Sequence, residues 1–145
     1  MSSYQHVLIA VDFTPGVDQV VERGMLQASA FGARLSLAHV VEPVALDLSN
    51  EMFIPQDLDL DRKLTEAATR LLEEVAVRHQ LQHAERFIEQ GYVRREVLRL
   101  AEEQKVDLIV VGSHGRSGVQ LLLGSTANAI LHGARCDVLA VRIRD

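Results

Sequence analysis

Two short, uninterrupted apolar runs constrain the fold of this chain more than any other feature of its sequence. The run at 7–11 reads Val-Leu-Ile-Ala-Val, and the run at 107–111 continues after its single aspartate as Leu-Ile-Val-Val. Each run has the length of a strand and lacks polar residues at alternate positions, which is typical of a strand that is covered on both faces. We therefore predict that both runs lie centrally in a parallel sheet with helices on both sides.

The rest of the chain alternates between extended and amphipathic helical patterns. The predicted strands are at 7–11, 35–41, 85–89, 107–111 (ending at Gly112) and 138–143, and the predicted helices run from Val17 to a terminating Gly32, from about 60 to 80, at 93–101 and at 126–134. Thr14 is the predicted N-cap of the first helix, and Pro15 lies in its first turn. A long connection at 42–59 could act as a lid. This order predicts an α/β fold with a single open five-stranded parallel sheet, helices on both faces and right-handed crossovers.

Length and composition indicate one domain that covers residues 1–145. A chain of 145 residues with 48% hydrophobic residues can build a core without disulfides or a structural metal. The net charge of -5, with basic residues scattered among acids, disfavours nucleic acid as a partner. A single cysteine, Cys136, fits a reducing compartment. No signal peptide pattern and no apolar run of about 18 residues are present, so we expect a cytoplasmic protein without membrane insertion.

The predicted topology brings several chain segments together at the carboxyl ends of the strands. Ligands of such sheets bind beyond those ends, where the strand order reverses. Asp12 follows the first strand, Val41 ends the second, and a glycine-bearing turn from Gly112 to Ser125 follows the fourth. Glycines let backbone N–H groups approach a ligand closely, and a following helix N-terminus suits phosphate. We therefore place the function of the protein at this turn.

A purely structural interpretation of the turn stays open, because glycines often only make turns and Ser-Thr often only caps a helix. The sequence has no Walker A motif, and no G-x-G-x-x-G follows the first strand. None of the six histidines has convincing metal-ligand spacing. No set of nucleophile, base and orienting group can be assembled, so no catalytic residue is predicted.

At these residues the chain resembles the universal stress protein family over essentially its whole length. The resemblance rests on His6-Val-Leu-Ile-Ala-Val-Asp12, Leu37-Ala-His-Val-Val41, Asp107-Leu-Ile-Val-Val-Gly-Ser-His-Gly115, Leu122-Leu-Gly-Ser125 and Cys136-Asp-Val-Leu-Ala-Val-Arg142. It implies a sheet with strand order 3-2-1-4-5, of the adenine nucleotide alpha hydrolase-like type. It also implies a stress-responsive regulator that binds ATP together with Mg²⁺.

The resemblance assigns site residues through the glycine motif of the family's nucleotide-binding branch. Asp12 and Val41 would contact the adenosine, and the phosphates would contact Gly112, Gly115, Gly124, Ser125 and Thr126. His114 and Arg116 lie within the same motif. The motif has nine residues between its last two glycines, whereas this chain has eight between Gly115 and Gly124. A bulky Phe13 stands where the family often has Gly-Ser; it could narrow the site or pack over the first helix.

The resemblance further implies a homodimer that forms through the last strand. Its interface residues would be Val138, Leu139, Val141 and Ile143. The dimer would also bind protein partners, which the resemblance does not identify. The A-type members of the family do not bind ATP and are shortened at the glycine turn, so a non-nucleotide-binding dimer that acts through protein partners is the alternative function. A slow ATP hydrolase is the third.

Overall fold

The protein forms a single five-stranded parallel sheet with the strand order β3-β2-β1-β4-β5, which confirms the predicted fold. The computed structural model describes residues 3–43, 58–113 and 124–144. The elements are β1 (His6–Ala10), α1 (Val17–Phe31), β2 (Arg34–Val41), α2 (Leu58–Arg78), β3 (Glu85–Gln90), α3 (Val93–Glu103), β4 (Leu108–Ser113), α4 (Ser125–Gly133) and β5 (Asp137–Arg142). Most of the predicted long connection, 44–57, lies outside the described residues, and so does the suggested lid.

Alternate residues of each central strand supply two hydrophobic cores, one on each face of the sheet. Val7 and Ile9 of β1 point to the face covered by α1 and α2, whereas Leu8 points to the face covered by α3 and α4. All three side chains are fully buried. The central runs are therefore apolar at every position because both of their faces are covered.

Helix α1 begins differently from the prediction. Thr14 is not its N-cap; Gly16 holds that position with a φ of 102°. The Thr14 hydroxyl donates instead to Asp12 Oδ1 at 2.6 Å, and the Thr14 carbonyl accepts from the N–H of Val17 at 3.2 Å. Pro15 and Gly16 thus occupy the central positions of a turn with the type II pattern, which requires a positive φ at its third residue.

Strand β4 and helix α4 also have different ends from those predicted. Gly112 and Ser113 belong to β4 and pair with Val141 and Arg142 of β5, so the turn begins after them. Helix α4 already includes Ser125. The prediction that the strand ends at Gly112 is wrong because the ladder to β5 continues past this glycine.

A buried histidine closes the opposite, amino-terminal edge of the sheet. His6 is 2% exposed; its Nδ1 lies 3.0 Å from the Gln104 carbonyl oxygen, and its Nε2 lies 2.7 Å from Ser36 Oγ. Arg34 Nη2 also lies 2.9 Å from Nδ1, so the ring has three polar contacts. Burial lowers the pKa of His6 below its ordinary value, and the positive charge of Arg34 acts in the same direction.

No helix in the described ranges is long and apolar enough to cross a membrane.

Candidate functional site

The sheet has its switch point between β1 and β4. The chain leaves β1 toward β2 on one side, whereas β4 lies on the other side of β1. The connections that follow β1 and β4 therefore diverge and leave a crevice at the carboxyl ends of these two strands. Asp12 follows β1 there, and Ser113 ends β4. The N-terminus of α4 reaches the same crevice, because the N–H of Gly124 donates to Ser113 Oγ at 3.3 Å.

The first turn of α4 has the properties of an anion-binding helix terminus. Gly124 is the N-cap residue, and its carbonyl accepts the N–H of Asn128 at 2.9 Å. Within the described part of the chain no hydrogen bond from a side chain caps the helix, and its first turn contains no acidic residue. The side chains of Ser125 and Thr126 are exposed. The first N–H groups of a helix have no intrahelical acceptor and carry a partial positive charge, so this terminus can accept phosphate oxygens.

Asp12 lies exposed at the end of β1. Its Oδ1 accepts the Thr14 hydroxyl at 2.6 Å and lies 3.4 Å from the Thr14 backbone nitrogen. The carboxylate is thus held by the turn that leads into α1. Asp12 therefore holds the turn before α1 at the position where a contact with the adenosine was expected.

Val41 ends β2, two strands away from β4. Its carbonyl accepts the N–H of Gly91 at 3.0 Å, and its side chain is partly exposed. The side chain can therefore offer an apolar contact at the same edge of the sheet, whereas its carbonyl is already engaged.

Phe13 packs against His39 beside this edge. The two ring centroids are 4.2 Å apart with an interplanar angle of 33°, and His39 Nδ1 donates to the Val11 carbonyl at 2.7 Å. Phe13 also packs against the core between the sheet and helices α1 and α2. Of the two alternatives for Phe13, its side chain packs beside the first helix, and the His39 ring lies against it. The only signal for this pair in the sequence is indirect, a histidine that interrupts the apolar pattern of β2.

Gly112 has a clear packing function. A Cβ atom at this position would lie 3.0 Å from Val20 Cγ2 and 3.0 Å from Ile143 Cδ1. The missing side chain therefore lets α1 and the residue that follows β5 approach the end of β4 closely.

Ser113 was not predicted as a site residue, although its buried hydroxyl connects β4 to α4. Only its position at the end of an apolar strand could have indicated it. The predicted site residues His114, Gly115 and Arg116 lie outside the described residues, as does the whole eight-residue spacer, 116–123. Within the described ranges, no group of three or more His, Cys, Asp or Glu side chains could hold a metal ion.

The proposed interface residues lie on the edge strand β5 or just after it, but their side chains contribute to the protomer's own core. Val141 is 6% exposed. Ile143 packs beside Gly112, and Val138 and Leu139 are partly buried on opposite faces of the sheet. An interface here would consequently use the backbone edge of β5 and exposed side chains of the flanking helices.

Comparison with known proteins identifies one family. The family model "Universal stress protein family" matches residues 3–142. Two curated proteins of Coxiella burnetii are similar over nearly their whole lengths. Universal stress protein A homolog 1 is 37% identical over 142 residues, covering 98% of this chain and 99% of the relative. Universal stress protein A homolog 2 is 38% identical over 145 residues, covering 99% of each.

Solved structures share the fold over nearly the whole chain. The hypothetical protein MJ0577 superposes with a TM-score of 0.79 at 23% identity, covering 99% of both chains. A universal stress protein solved in complex with cAMP superposes with a TM-score of 0.68 at 26% identity, covering 97% of this chain and 98% of its own.

Proposed function

The chain belongs to the universal stress protein family, and from this premise we propose that it is a cytoplasmic, dimeric stress-response regulator that binds ATP at the crevice between β1 and β4. The proposed adenosine contacts are Asp12 and Val41. The proposed phosphate contacts are Gly112, Gly115, Gly124, Ser125 and Thr126, with His114 and Arg116 in the same motif.

The uncapped N-terminus of α4 is the observation that carries this proposal. It lies beside Ser113 at the carboxyl end of β4, at the switch point where open α/β sheets take their ligands. It has no acidic residue in its first turn, so nothing within that turn opposes a phosphate. The relative solved in complex with cAMP supports an adenine nucleotide as the ligand class.

Energetics indicate that the helix terminus must act together with other contacts. Micromolar affinity corresponds to about 8 kcal/mol, whereas a helix terminus contributes about 0.3–1 kcal/mol, or about 2 kcal/mol in a partly buried geometry. Backbone N–H bonds from the glycine turn and burial of the adenine must supply the remainder. The net charge of -5 opposes a polyanion weakly, and bound Mg²⁺ would offset the charge of the phosphates.

The proposed dimer forms along the edge of β5. This strand pairs only with β4 among the described strands. An open edge of this kind is a template for pairing with a second chain. The exposed Leu131 of α4 flanks the same edge, beside Leu139. The backbone edge and this apolar neighbour support pairing across a two-fold axis.

Calorimetric titration of nucleotide-stripped protein tests the nucleotide proposal directly. We expect Mg-ATP to bind with micromolar affinity and GTP to bind at least tenfold more weakly, and a parallel titration with cAMP shows whether one phosphate is sufficient. Equal binding of GTP would contradict the adenine contacts. Absence of binding by all three nucleotides would overturn the proposal and favour the alternative, a dimer that acts through protein partners without a nucleotide.

The spacer of eight residues between Gly115 and Gly124 is the specific observation that keeps this alternative in view. Removing one residue from a helical segment rotates the rest of the helix by about 100° and shifts it by about 1.5 Å. A slow ATP hydrolase is the third candidate, and phosphate release from bound Mg-ATP would reveal it.

A further inference from the structure

A cavity of about 310 Å³ lies at the amino-terminal edge of the sheet, between the C-terminal ends of α3 and α4. Its walls include the buried side chains of Ala101, Val106 and Ile109. The Cys136 thiol forms part of the same wall, and burial raises its pKa, so it remains neutral. The volume is near the lower end of the range for small-molecule sites, which are apolar with a few polar groups at defined places.

This cavity is remote from the candidate nucleotide site. Val106 precedes β4 and Ile109 lies near its beginning, whereas Ser113 ends that strand. A strand of six residues spans about 20 Å. A ligand in the cavity and a nucleotide at the carboxyl edge would therefore occupy separate sites, and binding at one does not require binding at the other.

Lys105 lies at the mouth of the cavity in an unusual backbone conformation. Its φ is 55°, in the left-handed region that glycine normally occupies after a helix. The hydrogen bonds complete a Schellman motif, since the N–H of Val106 donates to the Ala101 carbonyl at 2.8 Å and the N–H of Lys105 donates to the Glu102 carbonyl at 3.3 Å. A lysine at this position is strained relative to glycine. The strain is tolerated here in a residue that lines the cavity.

Three charged side chains line the cavity, and the carboxylates of Asp137 and Asp107 lie close enough to Cys136 to contribute to the raised pKa of its thiol. Arg135 and Glu102 both line the cavity and pair with each other, with Nε and Oε1 3.4 Å apart. Lys105 adds a third charge, so these three groups sum to +1. We propose that this cavity binds a small apolar molecule with a carboxylate, whose apolar body contacts Ala101, Val106 and Ile109 and whose carboxylate pairs with Lys105.

The ordinary explanation of Lys105 is that a cation near a helix C-terminus complements the helix dipole. That explanation predicts no ligand and no preference among ligands of different charge. Gln80 provides a matched control within the chain, because it has a φ of 56°. The same pair of hydrogen bonds, from Leu81 to Ala76 and from Gln80 to Val77, ends α2.

Three probes of equal chain length test the site: octanoate, octanol and octylamine, titrated into ¹⁵N-labelled protein. We expect octanoate to bind most tightly and octylamine most weakly, with the largest amide shifts at Val106 and Cys136. Octanol or octylamine binding as tightly as octanoate would overturn the proposal. It would also be overturned if no probe bound at millimolar concentration, or if the shifts were largest around Asp12 and Gly124.

Variants then separate binding from the strain of the backbone. Lys105→Gln keeps a side chain in the left-handed conformation and should weaken octanoate binding about fivefold, the size expected for a partly exposed ion pair. Lys105→Gly and Gln80→Gly should both raise the midpoint of thermal unfolding, since each relieves the same strain. Only Lys105→Gly should weaken octanoate binding. Unchanged octanoate affinity in both Lys105 variants, or an equal loss in Gln80→Gly, would overturn the inference.

Discussion

Replacement of Thr126 by glutamate should raise the stability of the fold and lower its affinity for nucleotide. Thr126 is exposed in the first turn of α4, which has no acidic residue of its own. A carboxylate there interacts favourably with the helix terminus by about 0.3–1 kcal/mol. For a domain of this size we expect the thermal midpoint to rise by about 1–4 °C.

The same carboxylate would occupy the position proposed for phosphate. It removes about 0.3–1 kcal/mol of helix-terminus attraction from the ligand. It also adds repulsion of about 1 kcal/mol at 4 Å in bulk water, and of about 4 kcal/mol at an effective dielectric constant of 20. A total of about 1.3–5 kcal/mol corresponds to a loss of affinity for Mg-ATP of about tenfold or more.

Calorimetry with Mg-ATP and thermal unfolding of the same preparations measure both effects. Gln82→Glu is the matched control, because it adds the same charge at an exposed position before β3, at the opposite edge of the sheet. That edge is about 20 Å away, more than two Debye lengths at physiological salt. A Thr126→Glu protein that is stabilised but binds Mg-ATP as tightly as the unmodified protein would refute the placement of phosphate at α4.

Two further predictions concern the dimer and the dependence of stability on pH. Leu131→Asp should weaken self-association in analytical ultracentrifugation by about 2 kcal/mol or more, about 30-fold in Kd, because Leu131 is 46% exposed beside β5. Leu71→Asp, at a 41% exposed position on α2, should leave self-association unchanged, and equal behaviour of the two variants would count against the edge model. Because the pKa of His6 is lower in the folded than in the unfolded protein, the unfolded state takes up the proton first, so the free energy of unfolding should fall as the pH decreases below about 6.5. Denaturant titrations from pH 7 to 5 should show this decrease, and His6→Asn should reduce its slope; an equal slope in the variant would show that other groups cause it.

The order of the sheet could be predicted because its signals are local and redundant. Each central strand carries apolar residues on both faces, and the helices between them show a period that differs clearly from that of the strands. The resemblance then added the strand order, which periodicity alone does not determine. Errors occurred only at the ends of elements. The Thr14 hydroxyl, for example, could either cap the helix or bond to Asp12. It donates to Asp12 Oδ1 and does not cap the helix.

The glycines were harder to interpret, because the same residue type serves turns, ligand contacts and close packing. Gly24 lies inside α1, where glycine is unfavourable by about 1 kcal/mol relative to alanine. A Cβ at this position would collide with Ile9 Cδ1, so the helix can approach β1 only with glycine there. Gly112 has the same function at the end of β4. Such contacts join residues that are distant in sequence, and no local pattern predicts them.

Ile143 occupies the space that a side chain at Gly16 or at Gly112 would need. A Cβ at Gly16 would collide with Ile143 Cγ2, and a Cβ at Gly112 would lie 3.0 Å from its Cδ1. Two glycines that are nearly 100 residues apart in the chain therefore depend on the shape of one isoleucine. Gly16 stays glycine for a second reason, because its φ of 102° is one that other residues rarely adopt. A larger residue at 112 is compatible with this fold only if the side chains at 20 and 143 give way, since Val20 Cγ2 also lies 3.0 Å from a Cβ there. Among homologous chains that keep this packing, position 112 should consequently change together with positions 20 and 143, whereas position 16 should remain glycine.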